Sequence, residues 1–318
     1  MKKISEHLGE LIIALAGIIL IIGIIGYFHA PIGNFFASIV TKEVSLGTTL
    51  IDGMQIGDIG VSGGEHGGEV GGENGGEADD PADEPVALTA FYTYTPINSN
   101  SAYRLGLNSN FANALNSNAD YVVEGKTVWT VGSALPNPGA TYEGLPVTDM
   151  SYMFAYYDRI RTLDLSQFDT SNVTGMYAMF ENCFGLQTLK LSGWNTANVT
   201  TMNSMFGGCQ SLTALNLSHF NTANVTDMQS MFVCCMSLET LNVSHFNTAN
   251  VDNMSGMFSE CSSLTTLDLS SFDTSNVTNT GSMFKDCDAL NTILARTAAD
   301  KATFEASDSF PGCTVTVK

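Results

Sequence analysis

Cysteine recurs at Cys183, Cys209, Cys235, Cys261, Cys287 and Cys313, a constant step of 26 residues that the surrounding sequence shares. On this period Phe168, Trp194, Phe220, Phe246 and Phe272 form one column, and Asn172, Asn198, Asn224, Asn250 and Asn276 another. Met-Phe pairs make a third, from Met153-Phe154 through Met179-Phe180, Met205-Phe206, Met231-Phe232 and Met257-Phe258 to Met283-Phe284. A period of this length constrains the chain to a solenoid, in which each repeat is one supersecondary unit that buries its apolar face only against its neighbours. Function then belongs on a long surface, not in a deep pocket.

One repeat reads LETLNVSHFNTANVDNMSGMFSEC from Leu238. Leu238, Leu241, Val243 and Phe246 have the spacing of a short strand followed by an inward turn. Val251, Met254, Met257, Phe258, Cys261 and Leu264 are separated mostly by three or four positions, which predicts an amphipathic helix. The expected class is therefore α/β, a solenoid of about six 26-residue repeats with strand and helix alternating. The Asn column serves either to cap helix starts or to bond the backbones of stacked turns, and Thr248 and its equivalents serve either role.

Outside the repeats the composition changes. Residues 11–28 read LIIALAGIILIIGIIGYF without a charge, long enough to span a bilayer. Lys2 and Lys3 precede this stretch and orient residues 1–10 to the cytoplasm, so the repeats are expected outside the cell. An uncleaved anchor is expected in preference to a cleaved signal peptide, because the apolar run exceeds a signal-peptide core. Residues 29–61 form a juxtamembrane stretch without an assignment. Residues 62–85 contain Gly-Gly-Glu four times and predict a solvated, disordered spacer, since glycine raises the entropy of the open chain and the carboxylates repel. From 86 to 146 the alternation in AFYTYTP and YVVEGKTVWTV, with turns at Pro136, Pro138 and Gly139, predicts a small β-rich N-terminal cap. The solenoid is assigned to 147–296 and a closing cap to 297–318.

Six periodic cysteines in an exported chain would ordinarily imply disulfides, and strand spacing brings column neighbours within bridging range. Each lies on the apolar stripe beside Met and Phe, however, which favours buried free thiols; Cys234 is off the column. His219 and His245 lack the carboxylate or third ligand of a metal site. The column Asp169, Asn195, Asn221, Asn247 and Asp273 offers calcium ligands, but without the nonapeptide calcium pattern it reads as turn hydrogen bonding. There is no nucleophile elbow, zinc-binding helix, Walker loop or dinucleotide fingerprint, and a net charge of −20 disfavours nucleic acid. No catalysis, metal or cofactor is expected.

The motif F-[DN]-T-[SA]-N-V-T-x-M-x-x-M-F-x-x-C-x-S-L-x-x-L, repeated between Val147 and Cys287, resembles the 26-residue repeat of bacterial surface proteins related to the BspA-like leucine-rich-repeat family. The ending, from Ala298 through Phe310-Pro311 to Val317, resembles the closing segment of such arrays. The resemblance implies a leucine-rich-repeat-like solenoid on a bacterial surface, associated in some members with adhesion. Neither a lipoprotein cysteine nor a wall-sorting motif is present, so attachment is expected to rest on the N-terminal helix.

Recognition is expected where outward strand positions vary while inward ones stay apolar. Those positions are Asp164, Lys190, Asn216, Asn242 and Asp268 in one column, with His219 and His245 from a second. The expected function is interaction or adhesion with a protein or surface glycan, besides the bilayer contact of the N-terminal helix. The alternative is a structural spacer or assembly component.

Overall fold

The computed structural model describes residues 86–97 and 101–318. The chain divides into two units, residues 1–80 and 81–318, and the described residues all lie in the second. The expected membrane helix, juxtamembrane stretch and glycine-rich spacer lie outside the described residues. Among the described residues no helix is long and apolar enough to cross a membrane.

The first described segment enters through a 3-10 turn at Leu88–Ala90 and forms an antiparallel hairpin of β1 (Tyr92–Ile97) and β2 (Ala102–Leu107). Helix α1 (Ser109–Asn116) follows because the Asn108 side chain accepts from the Asn110 N–H at its start, while Phe111 and Leu115, one turn apart, are buried. A hairpin of β3 (Tyr121–Val123) and β4 (Lys126–Trp129) and the strands β5 (Thr141–Tyr142) and β6 (Leu145–Asp149) complete this part, with sheet order β1-β2-β6-β5. Phe111 packs edge-on against Phe91 at 5.1 Å and Trp129 at 5.4 Å between ring centroids. Tyr92 meets Phe168 at 5.9 Å, which joins this core to the first repeat.

From there the chain is a β-solenoid of about six turns. Its short strands are β7 (Thr162–Asp164), β8 (Thr188–Lys190), β9 (Ala214–Leu215), β10 (Thr240–Leu241), β11 (Thr266–Leu269) and β12 (Thr292–Ala295). All pairings are parallel and offset by 26 residues, as in Leu163 opposite Leu189 and Leu241 opposite Leu215. A second ladder of single bridges runs Asp149, Gly175, Thr201, Asp227, Asn253 and Asn279. Helix α2 (Ala298–Glu305), capped by the Thr297 hydroxyl, and strand β13 (Thr314–Val317), parallel to β12, close the far end.

The helix expected in each repeat does not form, and the class is corrected from α/β to a β-solenoid. Between the Met and Cys columns the chain runs as consecutive turns whose alternate N–H groups donate to the next repeat: Ala178 to Asn203, Phe180 to Met205 and Asn182 to Gly207, at 2.7–2.9 Å. Two residues per repeat take left-handed φ on the same 26-residue step. One column runs Tyr152, Ala178, Ser204, Ser230, Gly256 and Ser282; the other runs Tyr156, Asn182, Gly208, Cys234, Glu260 and Asp286. The physical reason is spacing. The Phe rings of this face stack at 5.5–5.9 Å between centroids, whereas packed helices need 8–10 Å between axes. A helix on every turn would splay the array, while turns that bond forward stack close to strand spacing. The three-and-four apolar spacing records inward corners of successive turns.

Polar columns bond the turns to one another. Asn198, Asn224, Asn250 and Asn276 each donate Nδ2 to a carbonyl of the preceding turn at 2.7 Å, the second of the two roles expected for them. Thr196 donates its hydroxyl to the Asn221 carbonyl at 3.0 Å and accepts the Asn221 N–H at 2.7 Å. Asn195, Asn221 and Asn247 accept the N–H two residues ahead, which is turn hydrogen bonding. Cys183, Cys209, Cys235, Cys261 and Cys287 are free and buried, and each thiol donates to a Phe carbonyl one turn back, as from Cys235 to Phe206 at 3.2 Å.

Candidate interaction face

The strands alternate an inward leucine or isoleucine with outward, mostly polar residues, because successive side chains point to opposite sides. Leu163, Leu189, Leu215, Leu241, Leu267 and Ile293 are buried. Outward stand Thr188, Ala214, Thr240 and Thr266 on one side of the leucine, and Lys190, Asn216, Asn242 and Asp268 on the other. Across β8 to β11, Ala214, Asn216, Thr240, Asn242, Ser244, Thr266 and Asp268 border an open groove of about 690 Å³, floored by Leu189, Leu215 and Leu241. Its rim carries hydroxyls, amides and one carboxylate, a set that can donate to and accept from a polar ligand laid across several turns.

The column selected from the sequence is only partly available. Asn216, Asn242 and Asp268 border the groove, but each side chain also accepts a backbone N–H two residues on, from Ser218, Ser244 and Ser270 at 3.0–3.1 Å. They therefore shape the turn that ends the strand as well as face outward. Asp164 is corrected from a recognition residue to a buried one: only 8% exposed, it accepts from the Ser166 N–H and pairs with Lys190 Nζ at 2.9 Å. These hydrogen bonds and the Lys190 charge hold its carboxyl below the ordinary value despite burial, which acts the other way. Asp268, with the same hydrogen bonds and Lys318 at 3.0 Å, is also lowered.

His219 and His245 do not line the groove. Their rings stand edge-on against Phe220 and Phe246 at 5.2 and 5.1 Å, just past the strands. His245 Nε2 lies 2.8 Å from the Leu217 carbonyl one turn back. His219 Nε2 is buried without a hydrogen-bond partner. Burial lowers the His219 pKa, the Leu191 carbonyl partly offsets this from outside hydrogen-bond geometry, and the His245 charge lowers it further. Among the described residues, no three His, Cys, Asp or Glu side chains converge to hold a metal ion.

Two outward features escaped the sequence reading. Thr240 and Thr266 border the groove, although the near-invariance of their column had concealed them among structural columns. Tyr152, Tyr156, Tyr177 and Glu181 cluster on the turn-built face. Their signal was a break in the column pattern, since Ser204 and Ser230 occupy the Tyr152 column and Ser255 the Tyr177 column.

The family described as "Mycoplasma protein of unknown function, DUF285" matches residues 139–216 and 213–315, over half of the chain, and the chain belongs to that family. No functionally curated protein matches. Among solved structures the chain is similar to a leucine-rich cell surface protein from Faecalibacterium prausnitzii A2-165, at 20% identity and TM-score 0.38, covering 68% of this chain and 56% of that one. It is also similar to the T. pallidum leucine-rich-repeat protein, at 16% identity and TM-score 0.32, covering 66% and 71%. A leucine-rich-repeat protein from Bacteroides ovatus ATCC 8483 is similar at 13% identity and TM-score 0.24, covering 64% and 70%. The repeat motif itself is similar to that of bacterial BspA-like leucine-rich-repeat surface proteins.

Proposed function

We propose that the chain is a non-catalytic interaction protein of the bacterial surface, and that the outward face of its strands binds a protein or glycan partner. The observation that carries this reading is the open groove across β8 to β11, where residues from successive turns present hydroxyl, amide and carboxylate groups around exposed edges of leucine. Solenoids offer such extended faces to partners, and polar groups around an apolar floor supply orientation and desolvation together. The apolar stretch at 11–28 anchors the protein, with the repeats outside. Protease added to intact cells should then degrade residues 86–318 while the N-terminus stays protected.

The test of the binding face uses the purified full chain, in a mild nonionic detergent, applied to intact bacterial and epithelial cells. Thr240 and Thr266 are exposed on the groove border, so Thr240→Arg with Thr266→Arg should reduce cell binding at least tenfold with an unchanged melting temperature. Equal binding by this variant would move the site off the strand face. Absence of binding by the unaltered chain would favour the spacer or assembly role.

A further inference from the structure

The turn-built face carries a cluster of tyrosines only at its first two repeats among the described residues. Tyr152 and Tyr177 are 49% and 36% exposed there, with rings 5.1 Å apart at 64°. Beside them the Tyr156 hydroxyl donates to Glu181 Oε2 at 3.2 Å. Burial, then Tyr177, Glu181 and Tyr156 in that order, raise the Tyr152 phenol, so the four groups form one electrostatic cluster. Burial also pushes the Glu181 carboxyl up, and Glu181 makes no ion pair among the described residues.

Stacking does not require these side chains. Later repeats fill the Tyr152 column with Ser204, Ser230 and Gly256. Tyr152 and Tyr156 moreover hold φ of +62° and +67°, a region that bulky residues rarely occupy and that costs of order 1–3 kcal/mol when they do. Exposed phenol faces attract a cation through the ring quadrupole, and a half-buried carboxylate at their edge supplies the opposite charge. The protein's net charge of −20 favours approach by a basic partner.

We propose that Tyr152, Tyr156, Tyr177 and Glu181 form a binding site for an arginine or lysine side chain within a basic peptide segment of a partner protein. The guanidinium or ammonium lies against the Tyr152 and Tyr177 rings and pairs with Glu181, which Tyr156 holds in place. This site is separate from the strand-face groove, which is lined by other residues.

The experiment measures anisotropy of a fluorescein-labelled Gly-Arg-Gly-Arg-Gly-Arg peptide against the full chain in nonionic detergent. Tyr152→Ser and Tyr177→Ser install residues that the same columns carry in other repeats, so both variants should fold, as melting curves will report. Each of them, and Glu181→Gln, should weaken the peptide at least tenfold, whereas Tyr152→Phe should leave binding within about twofold. A reference variant, Glu239→Gln with Asp252→Asn, removes two exposed charges on later repeats and should change binding less than twofold. Equal loss in the reference variant would reduce the effect to net charge and overturn the proposal. So would absence of binding by the unaltered chain, or preference for an oligosaccharide of β-1,4-linked N-acetylglucosamine over the peptide. Thr240→Arg with Thr266→Arg should leave peptide binding intact, which separates failure here from failure of the strand-face reading.

Discussion

The rings of Phe180 and Phe206, 26 residues apart, lie parallel within 3° and 5.6 Å between centroids. The same relation continues from Phe206 to Phe232 and Phe258, so one side-chain type forms a continuous stack inside the array. Replacing a middle member removes contacts on both sides. Phe232→Ala should cost about 3–5 kcal/mol, and Phe232→Leu clearly less, as read by urea denaturation. A loss below 1 kcal/mol for Phe232→Ala would contradict a close-packed stack.

The thiol column should be chemically silent in the folded protein. Burial pushes the Cys183 and Cys235 thiols up to about 12, and reactivity requires the thiolate. An Ellman titration of the native protein should therefore report at most Cys234 and Cys313, the two partly exposed cysteines. All seven should react after denaturation without reductant. Four or more missing thiols would establish disulfides instead.

The Asn ladder makes a directional prediction. Asn224 Nδ2 donates to the Ala197 carbonyl at 2.7 Å. Asn224→Ala should cost about 0.5–1.5 kcal/mol, the net worth of a hydrogen bond. Asn224→Asp should cost more at neutral pH, because a carboxylate would face that carbonyl without a proton to donate. Stability of the Asp variant should recover in acid as the carboxyl protonates, measured against the unaltered chain at each pH.

Repeat-sized deletions should be tolerated and others not. Removing residues 210–235 takes out one whole step of 26, after which Thr200 and its neighbours can bond the following turn in the same register. Removing 210–222 misaligns the inward columns and should abolish cooperative melting. Comparable melting of both proteins would exclude the solenoid.

His219 should make the protein lose stability in mild acid. Its folded-state pKa is lowered from 6.5, so the unfolded chain binds the proton more readily. The contribution is intact above 6.5 and is lost progressively as pH falls from there through the folded value. In His219→Asn the difference in melting temperature between pH 7.5 and 5.5 should shrink. An unchanged or larger difference would assign the acid sensitivity to other groups.

The period of 26, the inward leucines, the Met, Phe and Cys columns and the solenoid class were all legible in the sequence, because inward packing repeats the same side chain at every turn. The backbone between Val251 and Leu264 was not legible in the same way. Helix corners and successive turns both bring apolar residues inward every three or four positions, and only the distance between neighbouring repeats separates them. That distance, 5.5–5.9 Å along the Phe stack, is a tertiary quantity. Surface availability was likewise decided in three dimensions. Asp164 reads as an outward strand residue until the fold buries it and pairs it with Lys190 of the next turn, and the His pair reads as part of the strand face until the turn carries it past the groove. Sequence by itself determined which residues recur and hence what the interior is made of; the tertiary structure alone decided how closely the turns approach, because that spacing selects bonds between repeats over bonds within a helix.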